Sequence, residues 1–548
     1  MCACASLAAA PVHRPHLGCT YRGRTCALPR DDRRGTRVLP MPAALRSFPV
    51  QTIVSTSLPT ILKEFGGTQN EYTWVGVAYM LTQTACQPLY GRISNLIGRK
   101  IVLFSSIFVF ALGSLLCGAA RSMTWLIVCR GLSGVGGGGI VSSVWVITAE
   151  IVDVRRRAIW SQALSITWSC SAIAGPLLGG FFSVYLNIPI CLVAVLILAA
   201  SLHNAGLHAA QDASWKSFWQ KFDFAGLFLF ITGTCCIIVG FSFASSNGWI
   251  APSTLGLILG GVALLAGAGF YESWTTREAL FPPAAFKKLN IVIILTINLL
   301  HNFAFTSGTF YLALYYQLVD SSTPLRAGLM LLPYSLGSSL ASMPVAWYLG
   351  YREKRTHDTT GQMRVITVGL LIATVGFGLL QLLRQDTPLV MQSLLPLVAG
   401  FGLGMLFHAP YQVFTHALPP HELATGTSAF FLVRFTGATV GLSIAGALFQ
   451  NSLARDISAS SLALGGHPLD VAHLNSLPLS AATPQLLRAV TLSIRNVWTV
   501  CAPCLGLALV LSFFLRRISV HYDADPASSK TLPVQRPTGA DLEAGEKA

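Results

Sequence analysis

Uninterrupted apolar stretches of about twenty residues recur along this chain, the length at which a helix crosses the hydrocarbon core of a bilayer. Inside hydrocarbon no water is present to satisfy backbone N–H and C=O groups, so such a run must fold as a helix. Fourteen candidate spans follow one another, at 48–66, 72–92, 101–120, 124–147, 159–182, 184–204, 224–245, 254–272, 291–316, 326–350, 364–384, 388–414, 427–450 and 494–516. The first is incomplete, because Arg46, Ser47 and Pro49 stand where its apolar start should be. Only 11% of the 548 residues are charged, against about a quarter in soluble domains, which excludes a mostly water-exposed protein. The expected fold class is an all-α polytopic membrane protein with about 13–14 spans.

A formal charge of +15 invites a nucleic-acid reading, but the cations sit in short clusters between apolar runs. Arg99 and Lys100, Arg155 to Arg157, Lys216 and Lys221, Lys287 and Lys288, Arg352 with Lys354 and Arg355, and Arg516 and Arg517 occupy alternate connections. By the positive-inside rule those connections and both termini face the cytoplasm, with the bilayer rather than nucleic acid as partner. Residues 1–47 are Arg-, Pro- and Gly-rich and lack a secretory apolar region, so they read as a disordered basic segment, and 521–548 as a disordered polar tail. The connection at 451–493 is expected to be irregular. Most of the thirteen cysteines lie inside apolar runs, where they act as small packing residues. Cys501 and Cys504 make a C-x-x-C inside the last run without a second Cys/His pair, and no metal site is expected.

Three glycine motifs carry more information. After the second span the chain reads Gly91-Arg-Ile-Ser-Asn95-Leu-Ile-Gly98-Arg99-Lys100, a glycine-bounded turn whose cations would hold it at the headgroups. Arg130-Gly-Leu-Ser-Gly134-Val-Gly-Gly-Gly138-Gly139 lies in the fourth span, and Gly175-Pro176-Leu-Leu-Gly179-Gly180 in the fifth. Small residues at this spacing let helices approach closely, and Pro176 bends its span. Gly134, Gly136 and Gly139 also spell G-x-G-x-x-G, but a dinucleotide site needs a preceding strand, whereas this triplet is inside an apolar run.

On these motifs, with Gln51 to Pro59, Tyr72-Thr-Trp74-Val, Asp223 with Gly226, and Phe431-Leu-Val-Arg434 with Gly437 and Gly441, the chain resembles the major facilitator superfamily over about residues 51–520. It is most similar to the fungal fourteen-span branch, which holds drug:proton antiporters and vacuolar basic amino acid transporters. The resemblance implies two six-helix bundles, at 48–206 and 291–520, with two additional central helices at 207–290. It also implies Gly91, Asn95, Gly98, Arg99, Gly134, Gly138, Gly175, Pro176, Gly179, Gly180 and Arg434 as conformational motifs. The chain departs from the family where Val50 and Asn95 replace customary aspartates, and where only Phe181 to Asn187 joins the fifth and sixth spans. One misplaced exon boundary would account for Val50 and the incomplete first span. Residues 1 to about 50 are then not the sequence of a working transporter, and Arg130 lacks a carboxylate partner.

An ionisable residue within a span costs about 2.5–3.5 kcal/mol on insertion scales, so each is a functional candidate. Arg130 is the strongest, and its alternative role is to bridge helices. His301 with Asn302 lies near the middle of the ninth span, where a histidine can exchange a proton or simply pack; both residues are expected to face a central cavity. His408 is a weaker candidate of the same kind. Arg434, nearer a span end, either snorkels to the headgroups or serves function. Trp74, Tyr79, Gln83, Trp168, Tyr311, Tyr315 and Tyr334 supply aromatic and polar lining for a substrate pathway, though any one of them can equally be core.

The sequence contains no nucleophile–base arrangement and no phosphate loop ending in Gly-Lys-Ser/Thr. The expected function is a non-enzymatic secondary transporter, monomeric, without cofactor and energised by protons. It would export small organic molecules, drugs, toxins or basic amino acids, across the plasma or vacuolar membrane by alternating access. The rivals are an uncoupled facilitator and a non-transporting receptor or decayed copy of the same fold.

Overall fold

A computed structural model describes residues 69–151, 222–275, 288–320, 324–356, 358–418, 423–459 and 484–518, with Phe65, Lys216 and Ser322. Thirteen helices carry these residues: α1 (Gln69–Ile97), α2 (Arg99–Gly118), α3 (Met123–Ile151), α4 (Phe224–Asn247), α5 (Pro252–Trp274), α6 (Leu289–Leu318), α7 (Pro324–Met330), α8 (Leu332–Thr356), α9 (Thr360–Leu380), α10 (Leu389–Met405), α11 (Ala409–Ala417), α12 (Leu423–Ala459) and α13 (Pro484–Ser512). Ten stretches among the described residues are long and apolar enough to cross a membrane. Apart from Phe65, the predicted runs 48–66, 159–182 and 184–204 lie outside the described residues, as do Val50, Trp168, Gly175, Pro176, Gly179 and Gly180.

The helices sort into three groups. Helix α3 packs along both α1 and α2; α4 pairs with α5; and α6, α8, α9, α10, α12 and α13 pack among themselves. Helix α12 joins the groups, lying against α6 and α13 on one side and against α1 and α4 on the other. It is the most enclosed of the described crossings, with 78% of its span buried, whereas α5 has 17% buried and faces outward. The α4–α5 pair is tied on where Asn451 of α12 donates from Nδ2 to the Ala244 carbonyl at 3.1 Å. Asp223 caps α4 by accepting from the Gly226 amide at 3.0 Å, as expected of an aspartate at a helix start.

Glycine sets the spacing between crossing helices. A Cβ at Gly134 would collide with the Tyr79 carbonyl and Thr82 hydroxyl of α1, and one at Gly138 would stand 2.7 Å from the Gln83 carbonyl. The nucleotide look-alike on α3 is thus a packing face, with Gly136 against the Phe110 backbone of α2. Gly441 would meet the Phe303 backbone at 2.8 Å, and Gly437 approaches Leu299, which brings α12 onto α6.

Several expectations are corrected. Residues Gly91–Ile97 are helical, so the connection between α1 and α2 is not a ten-residue turn but the single residue Gly98, at φ 95° and ψ 148°. The surroundings of Gly91 and of the Asn95 side chain lie outside what the structure describes. Arg99 is 8% exposed and donates to Ser94 of α1 rather than reaching toward headgroups. The reason is local: with only one residue between the helices, the start of α2 is held under the last turn of α1. The run 388–414 is broken at 406–408, where the Leu406 amide bonds back to the Leu403 carbonyl and Phe407 to Gly404 in tight turns before Pro410 starts α11. The stretch 451–493 is also less irregular than expected. Helix α12 continues to Ala459 and α13 begins at Pro484, the two joined by Asn496 donating to the Ser452 hydroxyl at 3.1 Å.

The backbone at Gly98 lies in a region that residues with a Cβ rarely enter. Replacing it by valine is expected to cost about 1–3 kcal/mol. Thermal unfolding of the purified protein in detergent should show a lowered midpoint for Gly98→Val. An unchanged midpoint would mean that the connection relaxes freely.

Candidate functional site

The long apolar helix α6 carries three polar residues on one face, Asn298, His301 and Asn302, at the i, i+3, i+4 spacing that superimposes side chains. All three are buried, at 3%, 1% and 4% exposure. Asn302 donates from Nδ2 to the Asn298 carbonyl at 2.8 Å, with the Asn298 side-chain oxygen at 3.1 Å and His301 Nδ1 at 3.3 Å. Its own side-chain oxygen accepts from Nε of Arg434 on α12 at 3.1 Å. On the other side, His301 Nε2 lies 3.1 Å from the Leu403 carbonyl, beside the break between α10 and α11. Asn298 closes the network by donating to the Phe430 carbonyl at 3.0 Å. One polar chain therefore links α6, α10 and α12 at a depth where water is scarce.

Arg434 does not snorkel. It is 4% exposed, and its guanidinium carbon sits 5.1 Å from the Phe407 ring centre and 5.9 Å from that of Phe431. Aromatic faces and the Asn302 oxygen replace some of the lost hydration. Phe407 extends the aromatic surface, edge-on to His301 at 5.4 Å and to Phe305 at 5.3 Å, while Phe305 stacks on Tyr334 at 6.0 Å. Tyr334 donates to the Phe305 carbonyl at 3.2 Å.

Arg130 occupies a separate place on α3. It is 4% exposed, 4.8 Å over the Tyr79 ring, with Nε 3.5 Å from the Val75 carbonyl. Gln83 is buried one turn farther along α1, and Trp74 is half-buried near the start of that helix. The expected lining residues are thus not gathered in one pocket. Tyr79 and Arg130 form one unit, and His301, Asn302, Arg434 and Tyr334 form another. Tyr311 packs against Phe449 at 5.6 Å as core between α6 and α12, and Tyr315 donates to the Arg384 carbonyl at 2.8 Å. His408 stands just ahead of α11 without a side-chain bond to the helix start and is buried at 3%.

Sequence reasoning missed the residues that join the groups. Trp145 on α3 lies edge-on to Tyr411 of α11 at 5.3 Å and 4.8 Å from Phe431 of α12. Tyr411 continues to Phe430 at 5.3 Å, and Phe414 to Phe430 at the same distance. This seam stands where α3 ends and α12 begins. Toward the other end, Gly76 of α1 meets Leu442 of α12 and Phe310 of α6. No pattern in a single helix marks Trp145, since its partners are nearly three hundred residues away along the chain. The i, i+4 repeat of Asn298 and Asn302 is a usable signal.

Comparison with known proteins agrees with this architecture. The family model described as Major Facilitator Superfamily matches residues 43–442, so the match begins ahead of Gln51, where the motif resemblance is expected to start. An uncharacterized MFS-type transporter of Schizosaccharomyces pombe is 30% identical over 476 residues, 85% of this chain and 78% of that protein. The efflux pump FUS6 of Gibberella fujikuroi is 26% identical over 495 residues, covering 86% of each. Among solved structures, a bacterial homologue of the human lysosomal transporter Spinster, inward-facing and occupied, superposes with a TM-score of 0.58 at 16% identity, over 87% of this chain and 95% of that one.

A hydrogen bond to a charged group contributes about 1.5–3 kcal/mol. Asn302→Leu is expected to lower stability by that amount in the native background and far less in Arg434→Met, where the charge is gone. Thermal unfolding of the two single variants and the double variant measures this coupling. Equal losses in both backgrounds would show that Asn302 acts through packing alone.

Proposed function

Because the chain belongs to the major facilitator superfamily, we propose that it is a secondary transporter that exports small organic molecules by alternating access, with a proton gradient as the driving force. The observation that carries this reading is the pair of buried guanidiniums, one in each group of helices, Arg130 among α1–α3 and Arg434 among α6–α13. Charges held in an apolar interior are costly, and a pathway along which a polar solute passes is what makes use of them. Similarity to efflux pumps such as FUS6 supports the outward direction.

Positive clusters at alternate connections support both termini being cytoplasmic. On that orientation the Trp145, Tyr411 and Phe431 seam closes the cytoplasmic side, and Gly76 with Leu442 narrows the outer side. Rocking of the bundles would open either contact while tightening the other. Arg130 with Tyr79, Gln83 and Trp74 would line the outer half of the pathway, and Arg434 with His301, Asn302 and Tyr334 the inner half. Residues Tyr311, Gly98, Arg99, Gly134 and Gly138 serve packing and the turn between helices. His301, beside Arg434 and the α10–α11 break, is the proton-exchanging candidate.

Counterflow of labelled solute in vesicles reconstituted with the full chain tests the reading. Flux that rises with an imposed pH gradient is the expected result. Flux without gradient dependence would identify a facilitator, and none with any solute a receptor. His301→Ala should flatten the pH profile of flux, whereas an unchanged profile would return His301 to packing. Trp145→Ala should raise thiol-reagent labelling of a cysteine introduced at Tyr411 from the cytoplasmic side by several fold. Unchanged labelling would show that the seam is not a gate.

A further inference from the structure

The described buried charges divide by sign. The buried carboxylates, Asp223 and Glu272, belong to the α4–α5 pair, while the buried charged residues described on α1–α3 and α6–α13, Arg99, Arg130 and Arg434, are all cationic. On α1–α3 and α6–α13 every acidic residue stands close to a helix end: Glu71, Glu150, Glu353 and Asp456. The membrane-depth stretch of these helices therefore presents positive charge and histidine, without a carboxylate of its own.

Depth adds a second point. Trp145 and Phe431 are in contact and set a common level for the antiparallel helices α3 and α12. At 1.5 Å per residue, Arg130 lies about 22 Å from that level and Arg434 about 4.5 Å on the same side, so the two guanidiniums are separated by roughly 18 Å along the pathway. Each is laid on an aromatic ring, Tyr79 at 4.8 Å and Phe407 at 5.1 Å. The same pairing of fixed positive charge with an aromatic face thus occurs once in each half.

We infer that the transported solute is a small organic anion with an aromatic or otherwise planar body, its acidic head received by Arg434 and passed toward Arg130. This rests on the transporter reading and names its substrate class. The planar guanidinium fork matches a carboxylate or sulfonate bidentately. Asn302 accepts from Nε of Arg434 at 3.1 Å, which fixes that edge of the guanidinium. Phe407, Phe431, Tyr411 and Trp145 offer ring faces for the body of the solute where the seam opens. A basic amino acid or a cationic drug finds the wrong sign of charge at both levels.

Two xanthene dyes of similar shape and opposite sign, carboxyfluorescein and rhodamine 6G, test the inference. Binding to the purified full chain is followed by fluorescence anisotropy at about 150 mM salt, which screens exposed charge, and vesicle flux of the same dyes is measured alongside. The anion is expected to bind at least about tenfold tighter than the cation. Arg434→Gln should remove most of that preference, and Arg434→Lys, which keeps the charge but loses the fork, should weaken anion binding while preserving the order. Equal or tighter binding of the cation, anion binding untouched by Arg434→Gln, or no binding of either dye overturns the inference. If Arg434→Gln fails to fold, the preference of the unmodified chain and the Arg434→Lys variant still decide it. Cation flux without anion flux rejects the substrate class and leaves the transporter reading intact. Anion binding without any flux rejects the transporter reading and leaves the site.

Discussion

Scarcity of water at membrane depth governs nearly every local choice in this protein. Backbone groups are satisfied within helices, and many side-chain hydroxyls are turned back onto their own helix. Thr309 bonds the Phe305 carbonyl at 2.8 Å, Thr439 that of Phe435 at 2.7 Å and Ser443 that of Thr439 at 3.0 Å. Lipid is as apolar as leucine, so helices gain little from merely hiding hydrophobic surface and must associate through close backbone approach and interhelical hydrogen bonds. The glycines of α3, α10 and α12 supply the first of these. The Asn298, Asn302 and Arg434 chain supplies the second.

That constraint also explains what is legible in the sequence. Runs of apolar residues announce helices directly, because hydrocarbon permits little else, and α2, α3, α4, α5 and α9 fall where the hydropathy places them. The bounds fail where helices leave the apolar layer. Ser94 to Ile97, Asn451 to Ala459 and Pro484 to Ser493 are too polar to be counted as span, yet a helix in water or headgroups closes its hydrogen bonds equally well. Arg434 defeats a reading by position for a related reason: distance from a span end says nothing about which way a side chain turns. The acceptor that turns it inward, Asn302, lies 132 residues away. Of the candidate site, the polar members of α6 are visible as exceptions in an apolar helix. The aromatic seam is not, since aromatic residues are ordinary in such helices and only tertiary contact distinguishes Trp145 from Trp347, which is 72% exposed.

The seam and the network meet on α12. Phe431 touches Trp145, and Arg434, three residues later and beside the Phe431 ring, reaches Asn302. A displacement of α3 is thus carried by packed side chains to the helix that holds the buried cation. Helix α12 also bears the contact to α4 through Asn451, so the added pair is anchored to the same element.

The interruption between α10 and α11 has a mechanical consequence. A continuous helix resists bending through its ladder of i to i−4 hydrogen bonds, and at 406–408 that ladder gives way to tight turns. Stiffness falls at that level, so α11 can tilt relative to α10, which packs along α8 and α9. The Leu403 carbonyl beneath the pivot accepts from the Leu406 amide at 3.0 Å and also lies 3.1 Å from His301 Nε2. The pivot is pinned to α6, and Tyr411 rides on α11 beyond it.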